Sequence, residues 1–235
     1  MRKPVNHSKA PARPRLLDFL QRNAIDASTL LPLVHTTRAF HLRSIMESNT
    51  IAAAPCDVFQ GERLNYFFVG RPAYKYRVGE NDEFWQLPVC FIVDFKTVAR
   101  PKRVYPFDSG GFARKELPSF MNAIKLPDFE VSKDPRAIEK LVGTFFGNPR
   151  NYFRLKGKRT SEFTARHNLS PFDAEIHALH KLSIPRVNKS FDDRQFTIEV
   201  QSEGDYQLKS NHLLAVIAPI TYFDDSAFLD HVEKQ

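Results

Sequence analysis

Cysteine occurs only twice in the 235 residues, at Cys56 and Cys90, so a disulfide framework is excluded and a cysteine-based metal cluster has too few ligands. Both thiols are expected to be packing residues in a reducing compartment. Long apolar runs are also missing. No stretch approaches the roughly 20 apolar residues that cross a bilayer, and the N-terminal MRKPVNHSKAPARPR has a basic start with no apolar run behind it. The expectation is a soluble, unsecreted, cytoplasmic chain with no membrane partner. Acidic residues are in deficit: 27 Asp and Glu face 34 Lys and Arg, a formal charge of +7. Such a field gathers anions, and it favours nucleic acid, a nucleotide or an anionic surface as partner. Internal repeats and a second composition regime are absent too, which argues for one folded unit.

What is present suffices for a substantial core, with 42% hydrophobic and 12% aromatic residues. Residues 1–14, rich in proline and basic side chains, read as a flexible basic arm; residues 15–235 read as the domain. Leu16, Leu17 and Leu20 behind Pro14 predict a short helix over 14–23. A strand over 30–36 leads into a helix carrying Ala39, Leu42, Ile45 and Met46, and a short strand covers 50–53. Aromatic and β-branched content predicts strands over 65–69 and 89–95. Residues 106–112 and 115–133 read as loops. Asp134 as N-cap and Pro135 at the first turn, with Ile138, Leu141, Val142 and Phe145 on one side, predict a helix over 134–146. Strands are expected over 174–179, 195–200 and 212–218, with a terminal helix over 224–232. The pattern is α+β, with an antiparallel or mixed sheet and flanking helices.

Three motifs carry chemistry. Val34-His35-Thr36-Thr37 sets polar groups at the end of a strand, where ligands commonly dock; the same residues also fit a histidine satisfied at a turn with Thr36 or Thr37 capping the helix. Asn65-Tyr66-Phe67-Phe68-Val69-Gly70-Arg71-Pro72-Ala73-Tyr74-Lys75-Tyr76 is an aromatic strand running into a basic, tyrosine-bearing turn, and tyrosine suits stacking on nicotinamide or adenine. It also fits a plain core strand with a basic edge. In Pro171-Phe172-Asp173-Ala174-Glu175-Ile176-His177-Ala178-Leu179, an alternation of period two turns Glu175 and His177 to one face. A carboxylate so placed can bind a sugar hydroxyl and stabilise an oxocarbenium ion. His177 and His180 beside Glu175 invite a metal, but the spacing of a zinc helix such as HExxH is missing, and no metal is expected.

The order of these elements, a His and hydroxyl strand, a Tyr-Phe strand and a late glutamate segment, resembles the His-Tyr-Glu signature of the diphtheria-toxin-like and poly(ADP-ribose)-polymerase-like ADP-ribosyltransferases. The opening His35-Thr36-Thr37 and its following helix also look like the bacterial DarT group, which modifies DNA. The resemblance spans residues 31–218 in element order and departs from the family pattern at Thr36, where glycine is frequent, and at Arg71 and Pro72, where small residues are usual. It implies a split sheet with NAD in the cleft between its halves. His35 would bond a ribose of NAD, Thr36 or Thr37 the carboxamide, Tyr66 or Tyr74 would stack on nicotinamide, and Glu175 would be the catalytic carboxylate. NAD serves as ADP-ribose donor, and the small stand-alone enzymes of this kind imply a toxin or anti-phage role with a neutralising antitoxin.

The acceptor follows from charge. Arg150, Arg154, Lys156, Lys158, Arg159 and Arg166, with Tyr152 and Phe153 interleaved, suit phosphate contacts and base stacking, which makes RNA or DNA the expected acceptor. The same residues also fit a solvated basic loop that neutralises the NAD pyrophosphate. Rival expectations are a protein-directed transferase, an NAD hydrolase, or a non-catalytic nucleic-acid-binding domain.

Overall fold

The computed structural model describes residues 15–25, 27, 30–74, 82–98, 101–184, 193–209 and 211–233. The basic arm 1–14, and Lys75 and Tyr76 of the tyrosine motif, lie outside them. The fold is α+β. Nine strands are described: β1 (Leu33–Arg38), β2 (Thr50–Ile51), β3 (Ala54–Pro55), β4 (Arg63–Val69), β5 (Pro88–Val93), β6 (Pro101–Tyr105), β7 (Glu199–Glu203), β8 (Tyr206–Gln207) and β9 (Leu213–Ile217). Seven form a sheet in the order β6-β7-β4-β1-β5-β9, with β3 added beside β4; β2 and β8 pair separately. Every pairing described is antiparallel, so the mixed alternative is not what forms. Among the described residues no helix is long and apolar enough to cross a membrane.

One interruption in this sheet creates room for a site. β1 pairs with β5 along six residues, from Leu33↔Val93 to Arg38↔Pro88, but with β4 for only two, Leu33↔Val69 and Val34↔Phe68. β4 meets β3 at its other end, Ala54↔Leu64 and Pro55↔Arg63. On that side, residues 65–67 of β4 therefore face no strand, and β1 and β4 diverge around a gap. Gly70 turns the chain out of β4 with φ +64°, a conformation that glycine adopts without a Cβ clash. A Cβ there would also stand 2.8 Å from Leu31 Cδ1.

Eight α-helices are described: α1 (Arg15–Asn23), α2 (Leu42–Ser48), α3 (Ser109–Ala113), α4 (Pro135–Leu141), α5 (Pro149–Phe153), α6 (Thr160–His167), α7 (Ala174–Ser183) and α8 (Ser226–Glu233). α4 starts as the sequence predicts: Asp134 accepts from Arg136 N at 2.9 Å and Pro135 leads the first turn. It then widens into a π-helical stretch, Val142–Phe146, closed by Gly147 at φ +86°. Phe145 of that stretch stacks on Phe163 of α6 and meets Phe19 of α1, so α1, α4 and α6 share one aromatic core.

Several expectations need correction. Residues 174–179 are helix, not strand: Ile176, Leu179 and Leu182 are buried at helical spacing, and the run continues for ten residues through good helix formers. A period of two and a period of 3.6 coincide over so short a window. The 195–200 strand starts late, because a 3-10 turn fills Asp193–Phe196 and β7 begins at Glu199. Residues 106–112 hold the start of α3, which Asp108 caps through Gly110 N at 2.9 Å. Within 115–133 there are two 3-10 turns, Ser119–Met121 and Leu126–Phe129.

Candidate active site

A cleft of about 700 Å³ opens where β1 and β4 diverge, well within the range of small-molecule sites. Its walls include His35, Thr36 and Thr37 from β1, Tyr66 and Phe68 from β4, and Tyr74 from the turn beyond. Five sequence-predicted positions, His35, Thr36, Thr37, Tyr66 and Tyr74, thus converge.

His35 bridges the gap. Its Nδ1 lies 3.0 Å from Tyr66 O, the carbonyl that no strand reaches, so the side chain replaces a missing ladder bond. A carbonyl only accepts, so Nδ1 carries the proton and donates. Burial pulls the imidazole down to about 4, assisted by nearby His41 and opposed by the Tyr66 bond. At neutral pH the ring is therefore uncharged, with Nε2 an acceptor suited to a sugar hydroxyl.

The two tyrosines are both half-buried and tethered to cysteines. Tyr66 donates its hydroxyl to Cys56 Sγ at 2.8 Å, and burial raises its ionisation far out of reach. Tyr74 shares a hydrogen bond with Cys90, and burial with the neighbouring thiol pushes its hydroxyl up to about 12. Thr36 Oγ1 stands 3.5 Å from the same Cys90 Sγ. Arg71 fixes the turn by reaching Thr197 Oγ1 at 3.1 Å and Asp193 at 3.3 Å, while Asp193 N donates to Tyr74 O. The departure from small residues at Arg71 thus joins the tyrosine turn to the segment that leads into β7.

That segment supplies a carboxylate which sequence reasoning missed. Glu199, first residue of β7, pairs with Phe68 of β4 and lines the cleft. Its side chain is fully covered. Oε1 accepts from Ser109 Oγ at 2.7 Å and Gln201 Nε2 at 2.8 Å, while Oε2 has Ser109 N at 3.3 Å. Burial and the like charge of Asp108 hold this carboxyl well above the usual carboxylate range. Asp108 lines the same cleft and pairs with Arg194 at 3.5 Å. Arg38, Arg114 and Arg194 also line the cleft, beside Asp57, and Arg114 pairs with Glu116 at 2.7 Å. A signal for Glu199 exists in the chain: Ile198 and Val200 alternate with Glu199 and Gln201, the same period-two pattern that marks Glu175.

Glu175 stands on α7, is buried, and is not part of the cleft wall. Its companions make structural bonds: His177 Nε2 meets Ser170 O at 3.1 Å, and His180 Nε2 meets Lys158 O at 3.0 Å while its ring stacks on Phe163 at 4.1 Å.

The basic motif divides. Arg150, Arg154, Lys156 and Arg159 lie along α5 and the turn into α6, on the outside of the fold, with Phe153 54% exposed among them. Lys158 turns inward and donates to Gly143 O at 2.9 Å, and burial lowers its ammonium. Tyr152 is no stacking platform. It is fully buried, donates to Val69 O and accepts from Ile198 N, both at 3.0 Å. It therefore pins α5 between the end of β4 and the residue before Glu199.

Comparison with protein-family models, curated proteins and solved structures finds no match to this chain.

Proposed function

We propose that the chain is an NAD-dependent ADP-ribosyltransferase whose catalytic carboxylate is Glu199 rather than Glu175. The observation that carries the reading is the convergence, in one cleft at a break in the sheet, of His35, Tyr66, Tyr74 and a buried glutamate. Cleavage of the bond between ribose and nicotinamide expels a neutral base and leaves positive charge on the sugar. A carboxylate at that point favours the transition state over the ground state. Among the described residues Glu199 Oε2 accepts one long contact, from Ser109 N at 3.3 Å, and it is the carboxyl oxygen with capacity for a ribose hydroxyl once the ligand displaces its cover. Unprotonated His35 Nε2 accepts from a second hydroxyl, and the tethered tyrosines offer ring faces to nicotinamide. Arg38, Arg114 and Arg194 match a pyrophosphate in charge.

The acceptor this reading favours is nucleic acid. Four exposed cations lie on and just beyond α5 with exposed Phe153 between the first two in the chain, and Tyr152 anchors this helix at the residue before Glu199. Phosphates would meet the cations and an unpaired base the Phe153 ring.

The test is incubation with NAD labelled in its adenylate half, with separate pools of RNA, single-stranded DNA, duplex DNA and protein, for wild type, Glu199→Gln and Glu175→Gln. Wild type and Glu175→Gln should release nicotinamide and label a nucleic-acid pool, and Glu199→Gln should not. Label on protein alone replaces the acceptor, and intact NAD in every pool rejects the enzyme.

A further inference from the structure

We propose that the outer edge of β9 is the interface of a two-fold dimer of this chain, a surface separate from the cleft chemistry. β9 ends the sheet order, and among the described residues no strand pairs with its outer side. Exposed edges are normally protected by lysine, proline or an inward charge. β9 reads Leu-Leu-Ala-Val-Ile and has none of these. Its single irregularity is an extra residue at Leu214 in the ladder with β5, and this residue is apolar and 59% exposed rather than charged.

The surroundings are equally apolar. Leu214, Ile217, Ile220, Phe223 and Leu229 are 59, 40, 79, 38 and 37% exposed. Phe84 and Trp85 join the same region through the contact of Phe84 with Tyr222, at 5.7 Å between ring centres. Together these side chains expose about 650 Å² per protomer, so a symmetric pair that covers them removes about 1,300 Å² from water, within the size of specific interfaces.

Charge selects the occupant. From 210 to 233 there is no Lys or Arg, in a chain of net charge +7, which disfavours nucleic acid on this face. Antiparallel pairing about a two-fold axis sets the start of one β9 against the end of the other. Lys209 and His212 precede the strand, and Asp224 and Asp225 follow it. In the pair, the basic entry of each copy approaches the acidic exit of its mate, at both ends of the joined strands. A second copy therefore satisfies edge, apolar surface and charge together.

Sedimentation equilibrium from about 1 to about 100 µM should show a species of twice the 27.1 kDa chain mass. Ile217→Lys should weaken it by about 100-fold or more. Ala215→Cys, in the middle of the strand, should give a disulfide-linked dimer under mild oxidation, since both native cysteines are buried and paired strands hold Cα atoms at bonding distance. The cross-link reports on the edge even if Ile217→Lys folds poorly. A wild type that stays monomeric throughout overturns the proposal. So does a dimer that persists in folded Ile217→Lys, or one that Ala215→Cys fails to link.

Discussion

Replacing Glu199 by glutamine keeps the shape of the side chain and the two bonds accepted by Oε1, while removing an ionisable group buried beside Asp108. Because burial and Asp108 raise this carboxyl in the folded protein, the native state binds its proton more tightly than the unfolded chain does. The associated stability is complete below the ordinary glutamate range. It is lost as pH climbs through the raised value, where the native state must either keep a proton from solution or hold a buried charge. Each tenfold difference in proton affinity between folded and unfolded chain is worth about 1.4 kcal/mol. A fully covered carboxyl beside a second one exceeds that, so about 2 kcal/mol is the expected cost at neutral pH. Glutamine escapes it. For a domain of this size that corresponds to a rise of about 4–8 °C in Tm. Thermal melts of both proteins at about pH 4.5, 6 and 7.5 should coincide at the lowest value and diverge toward the highest, with Glu199→Gln the more stable. NAD cleavage should meanwhile fall by about 100-fold or more. A variant that melts lower than wild type at neutral pH would show that the charge is fully compensated and that repulsion from Asp108 does not govern its titration. Retained cleavage would remove Glu199 from the chemistry.

His35, lowered to about 4 by burial, contributes stability and NAD affinity that are present above the ordinary histidine value and lost as pH falls toward 4; NMR titration of its ring should give a midpoint near that value, and a midpoint near the unperturbed histidine value would break the assignment of a neutral acceptor. Tyr152→Phe leaves Ile198 N and Val69 O without their bridge and should cost about 1–3 kcal/mol in denaturant melts, whereas Phe153→Ala should leave the melt alone and weaken single-stranded oligonucleotide binding by about 5-fold or more. The reverse pattern would restore Tyr152 as the stacking residue. Arg38→Ala should raise the KM for NAD by about 10-fold with little change in kcat, since a pyrophosphate contact is made equally in ground and transition states; an unchanged KM takes the pyrophosphate away from that side of the cleft.

How much of this was legible in the chain depends on the range over which each feature is encoded. The helix at 135–141 announces itself through Asp134, Pro135 and the apolar spacing that follows, all within one turn or two. The strands β4 and β5 do so through unbroken aromatic and β-branched runs. His35, Thr36, Thr37, Tyr66 and Tyr74 could be named because they fall within or just beyond two runs that the chain marks as strands, β1 and β4, and the cleft gathers them. The glutamate could not be chosen locally. Glu175 and Glu199 each lie in a short stretch where apolar and polar residues alternate, and the choice between them turns on contacts about 90 residues away. Ser109 and Asp108 cover Glu199 from the start of α3, while Ile176, Leu179 and Leu182 commit the other stretch to a helix against the core. Tyr152 and Lys158 show the same limit, since a tyrosine among arginines has the composition of a nucleic-acid surface and becomes a core bridge only through the backbone of β4 and the residue that leads into β7. Local spacing therefore specifies which residue types reach the sheet's broken edge, and the long-range packing of α3 and α7 decides which of two equally plausible carboxylates the cleft receives. It follows that exchanging Ser109 for alanine should perturb Glu199 specifically. With its shortest donor removed, the carboxyl should titrate still higher, and the pH at which NAD cleavage reaches half its maximum should shift upward, while an unmoved profile would mean that Ser109 covers the carboxylate without tuning it.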